Sequence, residues 1–202
     1  YYCVAKSGSK TSAKDYLKFC KENGLPVKIA YPPASFLNKN KVSVCLKTPE
    51  AVYDYKKLKE VVESKLARNK NIKIFFESEV VGGHLNQDGA KTLIIERFGK
   101  KSAEKFDYVI NATYAFGNQF AKWFNFPVRP LRIDLKEILL VRIPIPKISM
   151  TVMDGPFATL VPTGERGLFT LGHVSISVHK SATPLSGLVP KWKNPQSRWK
   201  VY

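Results

Sequence analysis

The run Phe106-Asp107-Tyr108-Val109-Ile110-Asn111-Ala112-Thr113-Tyr114-Ala115-Phe116-Gly117 constrains this chain more than any other stretch. Tyr108, Val109 and Ile110 form a short β-prone apolar run, and Asn111-Ala112-Thr113 closes it with small polar residues. Asn118 to Phe124 then reads as a helix. A strand that ends in small residues ahead of a helix is the place where an α/β sheet seats a ligand, at its carboxyl edge. Whatever precedes and follows this run must supply it with a core.

The preceding chain is mixed. Tyr1 to Ala5 reads as a strand, and Thr11 or Ser12 as the cap of a helix carrying Tyr16, Leu17 and Cys20 that stops at Asn23-Gly24. Val27 to Tyr31 is extended. Val42, Val44 and Leu46 alternate with Ser43, Cys45 and Lys47, the pattern of a half-buried strand. Asp54 caps a helix through Ala67 with Leu58, Val61, Val62 and Leu66 on one face. Asn71 to Phe76 and Glu79 to Val81 read as strands, Gly82-Gly83 and Gln87-Asp88-Gly89 as turns, and Thr92 to Arg97 as a further strand before the turn at Phe98 to Ser102.

Beyond Pro127 and Pro130 the pattern turns β-rich. Leu131 to Ile143 reads as one long strand, followed by Ser149 to Met153, Phe157 to Val161 and Gly167 to Val174 with tight turns between them. Such spacing implies an antiparallel sheet. Residues 183–202, with Pro184, Pro190 and Pro195, read as a loop-like tail. The whole is expected to be α+β.

The 202 residues carry 33 Lys+Arg against 16 Asp+Glu, a formal net charge of +17. The cations are mostly Lys and are spread along the chain, densest from Lys56 to Lys73 on the polar face of the Asp54 helix and just beyond. This favours a solvated Lys-rich surface over a nucleic-acid site, which would use clustered Arg. A basic binding domain for nucleic acid or an acidic polymer is the alternative reading, and an inactive partial gene product a third. Cys3, Cys20 and Cys45 are odd in number and widely spaced, which points to reduced, buried thiols in a cytoplasmic setting and to neither a disulfide framework nor a metal site. No apolar run approaches the length of a membrane span. His84, His173 and His179 are isolated. Of these His173 is the one to follow, because it sits next to Gly172, where a close backbone approach is possible.

Asn71 to Val81, followed after a meander by Phe106 to Tyr114, resembles the central part of the D-amino-acid oxidase and glycine oxidase superfamily of FAD-dependent oxidoreductases. In that family a helix leads to a strand and then to a valine whose backbone meets the adenine. A meander follows, and then a strand ending in an Asn-Ala/Cys-Thr-Gly turn against the flavin nucleotide. The resemblance implies Val80 in the adenine-contact place and Asn111, Ala112, Thr113 and Tyr114 in the turn, with Tyr114 standing where the family has Gly. Small residues suit such a turn, because backbone amides and a hydroxyl must come within hydrogen-bond distance of phosphate or ribitol.

Pro130-Leu131-Arg132 to Pro144, Met150 to Pro162 and Leu168 to Gly172 resemble the family sheet that lies over the flavin. There Phe157, and by position His173, would line the substrate pocket. The implied organisation is an α/β FAD-domain portion plus an antiparallel or mixed substrate-domain sheet. Its boundaries are 1–53 and 127–182 for substrate-domain portions, 54–126 for the central FAD-domain part and 183–202 for the tail. The chain contains no GxGxxG. The resemblance therefore places that phosphate-binding element ahead of Tyr1 and a later segment beyond Tyr202, so that these residues span the middle of an enzyme oxidising an amine or amino-acid C–N bond. No side chain in the chain is nominated as a catalytic acid or base, and no metal is expected.

Overall fold

The computed structural model describes residues 1–199, with elements in the order β1 (Tyr2–Ala5), α1 (Ala13–Glu22), β2 (Lys28–Ile29), β3 (Val42–Lys47), α2 (Tyr55–Arg68), β4 (Ser78–Leu85), β5 (Lys91–Arg97), β6 (Lys100–Phe106), α3 (Gly117–Trp123), β7 (Ile133–Lys136), β8 (Leu139–Arg142), β9 (Met150–Met153), β10 (Ala158–Pro162), β11 (Leu168–His173), α4 (Val174–Ser177) and β12 (Val178–Ala182). The protein is α+β. The chain forms two units: one of Tyr1–Arg68 and Lys136–His179 with the chain end from Gln196, the other of Asn69–Leu135 and Lys180–Pro195. The expected tail is loop-like from 183 to 199, and its last three positions, residues 200–202, lie outside the described residues.

The first unit is built on a seven-stranded sheet of order β2-β3-β1-β9-β10-β11-β8. β1 runs parallel to β9, and the remaining pairs are antiparallel. Period-two alternation in β3 sends Val44 and Leu46 toward Tyr16 and Leu17 of α1, where they form a core with Val4 and Cys20. Cys45 faces the opposite side, with Cys3, Leu37 and Val42. The Ser12 hydroxyl accepts from the Asp15 N–H at 3.1 Å and starts α1, and Gly24 at φ +60° ends it.

Packing on that core changes one side chain's chemistry. Burial, reinforced by the neighbouring Cys20, pushes the Tyr16 hydroxyl up to about 12 from 10.0. The neutral phenol is the form the fold prefers. Its contribution is therefore complete below the unfolded pKa and is lost as pH rises through about 12. An absorbance titration of the tyrosines is expected to show a late ionisation that Tyr16→Phe removes; a titration unchanged by that substitution would refute the assignment.

Two expectations fail among these elements, and the surroundings of one helix are a further finding. Cys3 and Cys45 are direct cross-strand partners in β1 and β3 and form a disulfide, leaving Cys20 as a free, buried thiol. Antiparallel pairing brings together two residues 42 positions apart, a closeness that spacing along the chain does not reveal. The long strand from Leu131 to Ile143 is broken at Glu137-Ile138: β8 joins the large sheet, whereas β7 pairs with β12 in a separate two-stranded sheet. Finally, Asp54 caps α2 as expected, its Oδ1 accepting from the Lys56 and Lys57 N–H groups at 3.0 and 3.3 Å. The apolar face of α2, however, buries none of its residues, and the helix clusters with the first unit, not with residues 69–126.

The second unit is a three-stranded antiparallel meander, β4-β5-β6, covered by α3. Leu93, Ile95 and Phe124 are its buried centre, with Val80, Phe106, Val109, Phe120 and Trp123 packed around them. Gly82-Gly83 is not a turn. Both glycines continue β4, with a register shift between Val80 and Gly82. A Cβ on Gly83 would come within 3.0 Å of the Phe124 ring and of the Thr92 carbonyl, so glycine here serves close packing of α3 on the meander. The expected strands Asn71 to Phe76 and Tyr108 to Ile110 are also not formed, and neither joins any of the sheets. Their β-prone composition has no neighbouring strand to pair with, and backbone propensity without a ladder does not make a strand.

Candidate functional site

The run singled out by the sequence leaves β6 at Phe106 and crosses to α3 as exposed chain. The Lys91 ammonium donates to the Asp107 carbonyl at 2.9 Å and lies 5.7 Å from the centre of the Tyr108 ring. Asn111 then organises a turn with its own side chain. Its Oδ1 accepts from the Thr113 N–H at 3.0 Å and from the Thr113 hydroxyl at 2.6 Å, and its Nδ2 reaches the Gly117 carbonyl at 3.4 Å. Such an Asx turn is the ordinary reason for Asn at a point where a chain must reverse. Tyr114 follows at φ +53°, in the left-handed region, and opens a short 3₁₀ turn into α3. A non-glycine residue there costs about 1–2 kcal/mol. Tyr114 gains no packing in return, being 99% exposed, as are Tyr108 at 89% and Ile110 at 92%.

Beside this turn lies a pocket of about 220 Å³ walled by Leu85, Val109, Phe120, Phe124 and Phe126, with Asn111 and Lys91 at its polar edge. An apolar cleft with one amide and one cation fits a flat apolar or heterocyclic group and orients it at one end. Lys91 is the single ionisable side chain of its lining, and its ammonium is already engaged by Asp107.

The remaining sequence-derived residues are distributed between the two units. Val80 points into the core of the second unit, one residue before the irregularity in β4. Ala112 lies exposed in the turn between Asn111 and Thr113. Phe157 and His173 belong to the first unit and meet at one end of the β10–β11 pair, where the Val174 N–H donates to the Phe157 carbonyl at 3.2 Å. The half-buried Phe157 ring packs over Gly8 and Gly155. The His173 Nδ1 accepts from the Ser175 N–H at 3.2 Å and caps α4, while the His173 N–H donates to the Ser177 hydroxyl at 3.0 Å. Both residues thus have structural work at their positions.

Two polar arrangements have no local signal in the sequence. Asn118 is buried on α3 and holds the Arg129 and Gly187 main chains through its side-chain amide. His179, its side chain almost wholly buried, meets the Glu137 carboxylate at 2.8 Å. Hydrogen bonds from Ser197 and then from His179 hold the Glu137 carboxyl below its usual range. Each partner lies far along the chain, so only folding brings the groups together.

Among the described residues no group of His, Cys, Asp and Glu is placed to hold a metal ion, and no helix is long and apolar enough to cross a membrane. No protein-family model, no curated protein and no solved structure matches the chain.

Proposed function

We propose that this chain is the central part of an FAD-dependent oxidoreductase of the D-amino-acid oxidase type, acting on the C–N bond of an amine or amino acid. The observation that carries the reading is the left-handed backbone at Tyr114, φ +53°. In the resembled family this position is glycine, and the left-handed region is the conformation glycine supplies without strain. The backbone at Tyr114 is thus of the kind that a glycine in that place would adopt, with tyrosine standing there. The Asx turn before it, the exposed Ala112 and Thr113, and the apolar pocket beside Asn111 give small, hydrogen-bonding surroundings of the kind a nucleotide needs.

These residues fit the cofactor in kind. Ala112 would present its main-chain amide to phosphate or ribitol, Asn111 would fix the turn by holding the Thr113 N–H and hydroxyl, and Val80 would offer backbone near the adenine. When bound, the flavin supplies the hydride acceptor for the carbon that bears the nitrogen. The residues described here bind and orient. A proton-transfer role is assigned to none of them.

Titration of FAD into the protein, read by flavin fluorescence, tests the reading. Weak binding is expected, competed by adenosine diphosphate. Asn111→Ala is expected to weaken it by roughly fivefold, the value of about one hydrogen bond. Tyr114→Gly is expected to strengthen it, because removing the side chain opens a closer approach to the turn. FAD binding that ignores both substitutions, or that adenosine diphosphate does not displace, would sink the proposal. Peroxide release from D- and L-amino acids by the natural full-length product then tests the chemistry.

A further inference from the structure

Helix α2 spans 14 residues, a length at which an isolated helix is marginal in water. Tertiary packing ordinarily rescues such helices. Here it does not, and Leu58, Val61 and Val62 are 48%, 51% and 45% exposed. At 100° per residue, these three share one arc with Tyr55 and Leu66. Charges are distributed about that arc in a definite order. Lys57 and Arg68 border one edge and Lys59 the other, while Glu60 and Glu63 lie toward the opposite side. The helix carries five Lys/Arg against two Glu, a net +3.

We infer that α2 docks on an anionic lipid surface, lying in its plane with the apolar arc turned into the interface and the flanking cations on the headgroups. Cations at the borders of the apolar arc with acids away from it make the arrangement that surface-seeking helices use. Lys65 decides between occupants, because it projects inside the apolar arc. At a lipid surface its four-carbon stem lies along the apolar layer while its ammonium reaches the headgroups. In a closed apolar groove of a protein the same charge would be buried without compensation. A nucleic acid would engage the cations and leave the apolar arc without a role. Tyr53, exposed just ahead of the helix, is of a residue type found at membrane–water interfaces. The ion pairs Lys59–Glu63 at 3.6 Å and Lys56–Glu165 at 3.7 Å are exposed and offer little resistance to exchange with headgroups.

The inference does not rest on the flavin reading, and vesicle co-sedimentation tests it without cofactor. Vesicles of phosphatidylcholine are compared with vesicles carrying about 30% phosphatidylserine, the regime in which surface charge attracts basic segments. Binding to the anionic vesicles alone, weakening as salt is raised, is the expected result. Lys57→Glu/Arg68→Glu is expected to lower it by about tenfold or more, and Leu58→Glu/Val62→Glu by about tenfold. All four positions are on a helix without buried residues, so the variants keep the fold, which far-ultraviolet circular dichroism checks. Equal binding to both vesicle types would overturn the proposal, as would no binding to either. Undiminished binding by Leu58→Glu/Val62→Glu would reduce the interaction to polycation adsorption and equally overturn it. Tighter binding to a short DNA duplex than to the anionic vesicles would transfer the surface to nucleic acid.

Discussion

Replacing Asn118 by alanine is expected to lower the stability of the second unit by about 3 kcal/mol, from three hydrogen bonds at about 1 kcal/mol each. The amide Nδ2 donates to the Arg129 carbonyl at 2.8 Å and to the Gly187 carbonyl at 2.9 Å, and Oδ1 accepts from the Arg129 N–H at 3.2 Å. One buried side chain thus ties α3 to two separate loop segments. Alanine removes that tie and leaves main-chain groups unpaired beside α3, which costs more than the bonds contribute in isolation. For a unit of this size the loss corresponds to a drop in melting temperature of roughly 12 °C or more. Asn118→Asp separates hydrogen bonding from volume. It keeps an acceptor for the Arg129 N–H but sets a carboxylate against two carbonyl oxygens, and it is expected to be at least as harmful as alanine. Thermal unfolding followed by tryptophan fluorescence reads both variants, since Trp123 packs in the same core. A loss under about 0.5 kcal/mol for Asn118→Ala, the size of an ordinary surface change, would show that the amide network is not supporting the site.

Reduction of the Cys3–Cys45 bridge is expected to cost about 4 kcal/mol, the chain-entropy value for a closed loop of this span. The two cysteines are fully buried and link β1 to β3, the second and third strands of the largest sheet. The bond therefore restrains the unfolded chain over the loop that contains α1 and β2. Alkylation in denaturant without reductant is expected to label Cys20 alone, and with reductant all three cysteines. Urea unfolding of Cys3→Ala/Cys45→Ala should reproduce the loss caused by reduction. Labelling of three cysteines before reduction would remove the bridge from the protein as isolated. Equal stability with and without reductant would remove its role as a staple.

Local chemistry was legible wherever the interacting groups lie within a few residues of one another. Ser12, Asp54 and Gly24 act on their own helix ends, and each does what its side chain and position imply. The two-residue period of a strand separates Val44 and Leu46 from Cys45 in β3. Val42, expected beside Val44 and Leu46, packs instead with the fully buried Cys45, so the strand is covered on both faces. The strand expected at Tyr108 to Ile110 failed for the complementary reason. Its residues favour β structure, but a strand exists only beside another, and the neighbour is set by the rest of the fold. Gly82-Gly83 misled in the same way. Paired glycines signal a turn locally, whereas here the ring of Phe124 and the carbonyl of Thr92 press on the strand and require the absence of a side chain.

The candidate site shows the same division. That Asn111 to Thr113 form a turn ahead of a helix follows from their composition alone, because an Asn side chain bonds its own backbone two residues on. The left-handed conformation at Tyr114, the pocket beside it and the anchoring of α3 by Asn118 required the folded chain. The α+β class and the helix caps were legible in the sequence, the caps because they depend on contacts between near neighbours. Of the meander only β5 was read correctly, since β6 (Lys100–Phe106) begins where a turn from Phe98 to Ser102 was expected. Tertiary structure alone decided the Cys3–Cys45 bond, the His179–Glu137 pair and the uncovered face of α2. Such features arise from which surfaces meet across tens of residues, and no local propensity encodes that choice.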